Sequence, residues 1–247
     1  GKKRPYDDRN RYKNHIKQKF ASKPLSQIST ADIEKFKTSL EKKGLSPATV
    51  KHVIILIRQI YNKMIALKLW ESTPPTKGIK FSKLNNRRVR FLTHEEAHSL
   101  LEAVRKKSQR VYEISLLSLH TGMRADEILS LLWGHLDFHN GLIHVADPKG
   151  SRSRTAFMTA KVKEMLLAKE RGDPADLVFK GRTGKKSVEV SKTFLRTVRD
   201  LKLNDAIEDR RQQVCFHTLR HTYASWLAIE GTPILEIKEL LGHTTLA

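Results

Sequence analysis

The chain has 247 residues, with 47 Lys and Arg against 26 Asp and Glu and a formal net charge of +21, so it has room for two modest cores and its natural partner is a polyanion. The one cysteine, Cys215, excludes an intrachain disulfide and a cysteine-rich zinc site. No apolar run approaches the roughly 18 uncharged residues of a membrane-spanning helix, no signal-peptide core opens the chain, and a start on Gly1 rather than Met reads as an excised or tagged fragment.

The first part is the electrostatic one: residues 1–90 carry 23 Lys or Arg against 6 Asp or Glu, a net of +17. Disorder does not explain it, because Val50, Val53, Ile54, Ile57, Ile60, Tyr61, Met64 and Leu67 recur at steps of three and four and make one apolar helical face. Before them, "STADIEKFKTSLEKKG" predicts a helix capped by Ser29 or Thr30, buried through Ile33, Phe36 and Leu40, and stopped at Gly44. The next is capped by Ser46 with Pro47 at its first position and is expected to end near Trp70. The Pro- and Gly-containing stretch and basic run that follow suggest a boundary, giving a helical, polyanion-binding domain over 1–82, a basic linker over 83–90 and a second domain over 91–247.

In the second part Thr93 and Glu96 form the signature of a capping box, and "VYEISLLSLHTG" is a helix ending at Gly122. In "HTGMRADEILSLLW" the next helix is expected to hold Arg124 in its first turn, with Glu127 three residues on, where free amides and the helix dipole favour an anion. Between 137 and 158 short β-prone runs flank a Pro-Lys-Gly turn, which predicts a hairpin with Lys149 at its tip. "KTFLRTVRDLK" returns to helix.

A helix starting at Thr218 would put Leu219, Tyr223 and Trp226 on its core side and leave His217 and Arg220 together on another face. His221 lies four residues from His217, but no third ligand stands at a zinc-binding spacing, so a packed histidine is the reading preferred. In "GTPILEIKELLGH", Thr232 caps, Pro233 takes the first position, Ile234, Ile237, Leu240 and Leu241 face inward, Gly242 stops the helix and His243 projects beyond it. The fold class expected is mainly α with a small antiparallel β-sheet, an α+β unit following the helical one.

Two arginines, two histidines and a loop lysine are donors suited to a phosphodiester whose transition state carries extra negative charge. Arginine grips non-bridging oxygens in pairs, histidine donates or moves a proton, and lysine can protonate a leaving oxygen; no divalent metal or other cofactor is needed. The blocks "TGMRADEILSLLW", "DPKGSRSRTAFM", "HTLRHTYASWLA" and "LLGHTTLA" occur in an order that resembles the tyrosine recombinases, or phage integrases, across residues 91–247.

That resemblance implies that Arg124, Lys149, His217, Arg220 and His243 are catalytic and that Glu127 supports them. Lys149 would be the general acid for the leaving oxygen. It implies a tyrosine nucleophile after the second histidine, beyond Ala247, so that the residues present would not cleave alone. Tyr223, on the apolar face, is assigned to packing. The activity implied is site-specific recombination through a 3′-phosphotyrosyl intermediate, without ATP, on double-stranded DNA held by a homotetramer, in a bacterial cytoplasm near the nucleoid. A type IB topoisomerase-like enzyme and a non-catalytic DNA-binding fragment are the alternatives.

Overall fold

The computed structural model of the protein describes residues 5–82, 88–146 and 153–242. The chain divides into two compact units, Gly1–Asn86 and Arg87–Ala247. It is mainly helical with one three-stranded antiparallel sheet, the fold class expected from the sequence. Among the described residues no helix is long and apolar enough to cross a membrane.

The first unit opens with a helical run not anticipated from the sequence: α1 (Pro5–Arg11) widens through a π-turn over Tyr12–Ile16 and continues as α2 (Lys17–Phe20). Then come α3 (Thr30–Lys42) and α4 (Pro47–Ala66). Ser29 caps α3 through the N–H of Asp32, whose carboxylate accepts in return from the Ser29 N–H at 3.0 Å. Lys23 and these Ser29 donors hold the Asp32 carboxyl well below the usual range.

Ile33, Phe36 and Leu40 of α3 pack on Val50, Val53, Ile54, Ile57 and Tyr61 of α4, and Ile16 and Phe20 complete the core. The Tyr61 hydroxyl donates to the Leu25 carbonyl at 2.8 Å, giving this buried polar tip its partner. The helix expected to run near Trp70 stops at Ala66, and Lys68 takes a left-handed φ of 56°. Leu67, expected on the inner face, is therefore exposed: the chain has left the helix before the period reaches it.

In the second unit α5 (His94–Lys107) begins with the expected Thr93–Glu96 capping box. α6 (Gln109–Thr121) is the central helix, buried over nearly its whole circumference between α5 and α10 (Phe216–Ile229). Its buried hydroxyls survive there because each bonds locally, Ser115 to the Val111 carbonyl, Ser118 to that of Met123 and Thr121 to that of Leu117. α7 (Ala125–Leu129) leads into β1 (Leu136–Asp137), β2 (Leu142–Val145) and β3 (Arg154–Phe157), with β2 in the middle.

The β2–β3 hairpin pairs Leu142 with Phe157 and Val145 with Arg154, which puts Ile143 and Ala156 together on the buried face. α8 (Ala160–Leu167), α9 (Thr193–Asp200) and α11 (Ile234–Leu241) complete the unit. Arg88 and Val89, read from sequence as linker, bond the carbonyls of residues 210–213.

Candidate active site

The site begins where α6 ends. Gly122 turns the chain with φ +63°, and a Cβ there would stand 2.6 Å from a ring carbon of Tyr223 and 2.8 Å from a methyl of Leu241. Glycine is thus required twice, for the left-handed turn and for the close approach. After Met123, Arg124 is extended and caps α7; it is the N-cap rather than part of the first turn, a correction of one residue. Glu127 at the third helical position accepts the Arg124 N–H at 2.7 Å and its guanidinium Nη1 at 2.8 Å.

Two more arginines reach the same carboxylate from distant segments. Arg154 Nη2 of β3 donates to Glu127 Oε2 at 2.9 Å, and Arg220 Nη1 of α10 lies 3.9 Å from that oxygen. Arg220 also donates through Nη1 to the Gly122 carbonyl and through Nη2 to the Leu241 carbonyl. Arg154 Nη1 takes the adjacent Leu240 carbonyl at 2.7 Å. Three guanidinium groups therefore meet around Glu127. Of their side chains Arg220 is 3 % exposed and Arg154 10 %, while Arg124 is 44 % exposed.

The electrostatics follow from that crowding. Burial would raise the Glu127 carboxyl, but Arg154 and then the Arg124 N–H and guanidinium outweigh it and hold the group below its ordinary range. Burial, then Arg124, pushes the Arg220 guanidinium down to about 9, which leaves it protonated at neutral pH.

α10 starts at Phe216, two residues earlier than expected, because the Thr218 hydroxyl accepts the Cys215 N–H at 3.0 Å and fixes the first turn there. His217, three residues before Arg220, reaches the surface and stands edge-on to His221 with 4.8 Å between ring centroids. Desolvation of the ring's inner side, with His221, Arg220, Arg124 and Arg88, pushes His217 down to about 4, so it is a neutral proton acceptor at pH 7. His221 is lowered by burial, Arg88 and Arg220.

The structure brings together Arg124, Glu127, His217 and Arg220; Lys149 and His243 lie outside the described residues. Arg154 is the member that sequence reasoning missed; its signal was the alternation of "SRSRTAF", which places it in register on the hairpin. α11 begins one residue later than expected, with Pro233 as its cap in an extended conformation, and Ile234 is exposed instead of inward. Tyr223 is half-buried against Gly122, and burial raises its hydroxyl, which suits packing and not attack.

The model of the phage integrase family matches residues 90–247. A tyrosine recombinase of Thermosipho africanus is 30% identical over 237 residues, covering 92% of this chain and 81% of that protein. Among solved structures, the Tn1549 transposon integrase in complex with transposon right end DNA superposes with a TM-score of 0.75 at 20% identity, over 99% of this chain and 87% of that one. A lambda integrase tetramer bound to a Holliday junction gives a TM-score of 0.72 at 19% identity, over 97% and 70%.

Proposed function

The chain belongs to the phage integrase family, and from that premise we propose that this site-specific DNA recombinase works on double-stranded DNA through the cradle around Glu127. The observation that carries the assignment is the meeting of Arg124 and Arg220 on one carboxylate, with His217 three residues from Arg220. Arg124, on the exposed side, and Arg220, behind it, grip the non-bridging oxygens of the scissile phosphate and favour the transition state over the ground state as charge builds on them. Glu127 holds the two guanidinium groups in register.

A tyrosine hydroxyl attacks phosphorus, its proton passes to the neutral His217, and the bond to the 5′-oxygen breaks. That leaves a 3′-phosphotyrosyl link and a 5′-hydroxyl, and attack by a partner strand's 5′-hydroxyl reverses the chemistry with the phosphoester count unchanged. Tyr223 is not given the attacking role, which falls to a tyrosine following His243. Lys149 is assigned to protonate the leaving 5′-oxygen and His243 to donate to the phosphate, both on the family resemblance. By the same likeness four copies act on two paired sites, in the cytoplasm where the DNA lies, and no cofactor enters the chemistry.

The test is covalent capture on a nicked suicide substrate by the gene's full-length product. Arg124→Ala and Arg220→Lys should each lower adduct formation by about 100-fold or more while DNA affinity changes by a few-fold. Undiminished capture by both would sink the assignment. Recombination between two sites, scored beside relaxation of a one-site supercoiled plasmid, separates a recombinase from a topoisomerase of the same chemistry.

A further inference from the structure

We infer that Arg154 is a positioning residue for strand transfer, which ties strand β3 to the start of α7 and to the last turn of α11 and so keeps Arg124 and Arg220 around one anion. The inference rests on the recombinase reading above. Arg154 donates to Glu127 Oε2 from one end of its fork, at 2.9 Å, and to the Leu240 carbonyl from the other, at 2.7 Å. Arg220 takes the next carbonyl along, that of Leu241, and the carbonyl of Gly122. Two arginines from different elements thus hold neighbouring carbonyls at the end of α11 and share one carboxylate at the start of α7.

The rest of the side chain is equally committed. Its Nε is buried without a partner, a cost that the two terminal contacts must offset. Gly242 turns with φ +64°, and a Cβ there would stand 2.6 Å from Arg154 Cδ, so the stem of the arginine is packed against the turn that follows α11. Its two partners stand 27 and 86 residues away in sequence, so Arg154 joins segments that no local structure connects. A lysine, with one compact head, can replace one of those bonds but cannot span both acceptors.

The experiment compares Arg154→Met and Arg154→Lys with wild type and with Arg124→Ala in the full-length product. It measures single-turnover adduct formation across pH, DNA affinity by anisotropy, and thermal unfolding. With DNA affinity and folding near wild type, Arg154→Met should slow adduct formation by about 10- to 100-fold, the cost of a reacting group displaced by about 1 Å, and Arg154→Lys should recover part of it.

Glu127 faces Arg124 at the cap of α7, Arg154 on β3 and Arg220 on α10, with His217 one turn from Arg220. Removing Arg154 should therefore move the acid limb of the rate to higher pH, and lysine should move it back. A wild-type rate in Arg154→Met beside an inactive Arg124→Ala overturns this inference alone; a fully active Arg124→Ala overturns the recombinase reading instead. Loss of adduct only in proportion to unfolded protein, or a slower rate with an unmoved acid limb, would make Arg154 an ordinary packing residue and also overturn the inference.

Discussion

Among the described residues His217 carries a pH signature that falls within an accessible range. Its ordinary pKa of 6.5 falls to about 4 in the folded chain, with desolvation first and His221 second among the causes. Between those values the unfolded chain binds the proton and the folded one refuses it, so folding weakens as pH drops through that window and loses nothing further from this group below it. The ring is partly open to water, which tempers the size of the effect. Calorimetry should show Tm falling less between pH 6.5 and pH 4 in His217→Asn than in wild type; parallel curves would remove His217 from the acid response. The same residue shows what a sequence can display. His217 with Arg220, and Arg124 with Glu127, are each three apart, so one helical turn unites them and spacing alone found both pairs. Alternation could place Arg154 on a strand but not beside its partners, which are backbone and carboxylate oxygens from segments that only the finished fold brings near.

Elements repeat this division between what is local and what is tertiary. Caps at Ser29, Ser46 and Thr93 were readable because a side chain bonds an amide three residues on. The end of α4 and the start of α11 shifted because they depend on backbone turns: a left-handed Lys68, and a Pro233 that caps with ψ 138° instead of entering the helix. Two glycines allow the tertiary part to be measured. Gly122 and Gly141 share nearly the same φ, +63° and +68°, but only Gly122 meets neighbours within 4 Å. Gly141→Ala should cost about 1 kcal/mol for the left-handed backbone. Gly122→Ala should cost about 2 kcal/mol or more, since Tyr223 and Leu241 must also give way. Urea unfolding of the two variants checks the difference, and equal losses would mean that the α6–α10 approach is looser than it stands here.

At the scale of the molecule, charge and chemistry are divided between the two parts of the chain. Residues 1–90 hold a net +17, with Lys13, Lys17, Lys19, Lys35, Lys42, Lys43 and Lys63 all exposed. A surface that neutralises six to ten phosphates should lose roughly a thousandfold or more in DNA affinity between about 50 and 200 mM salt. Anisotropy titrations in KCl test this, and a loss below about tenfold would leave the basic unit without its expected role. The buried arginines follow a different logic. Two of their five main-chain and carboxylate attachments are to Glu127, and the other three are the carbonyls of Gly122, Leu240 and Leu241, at the closing ends of α6 and α11. There the aligned peptide dipoles present their negative poles. Peptide dipoles do not titrate, so in the folded chain acid strong enough to discharge Glu127 weakens the contacts to that carboxylate and leaves the three carbonyl moorings in place.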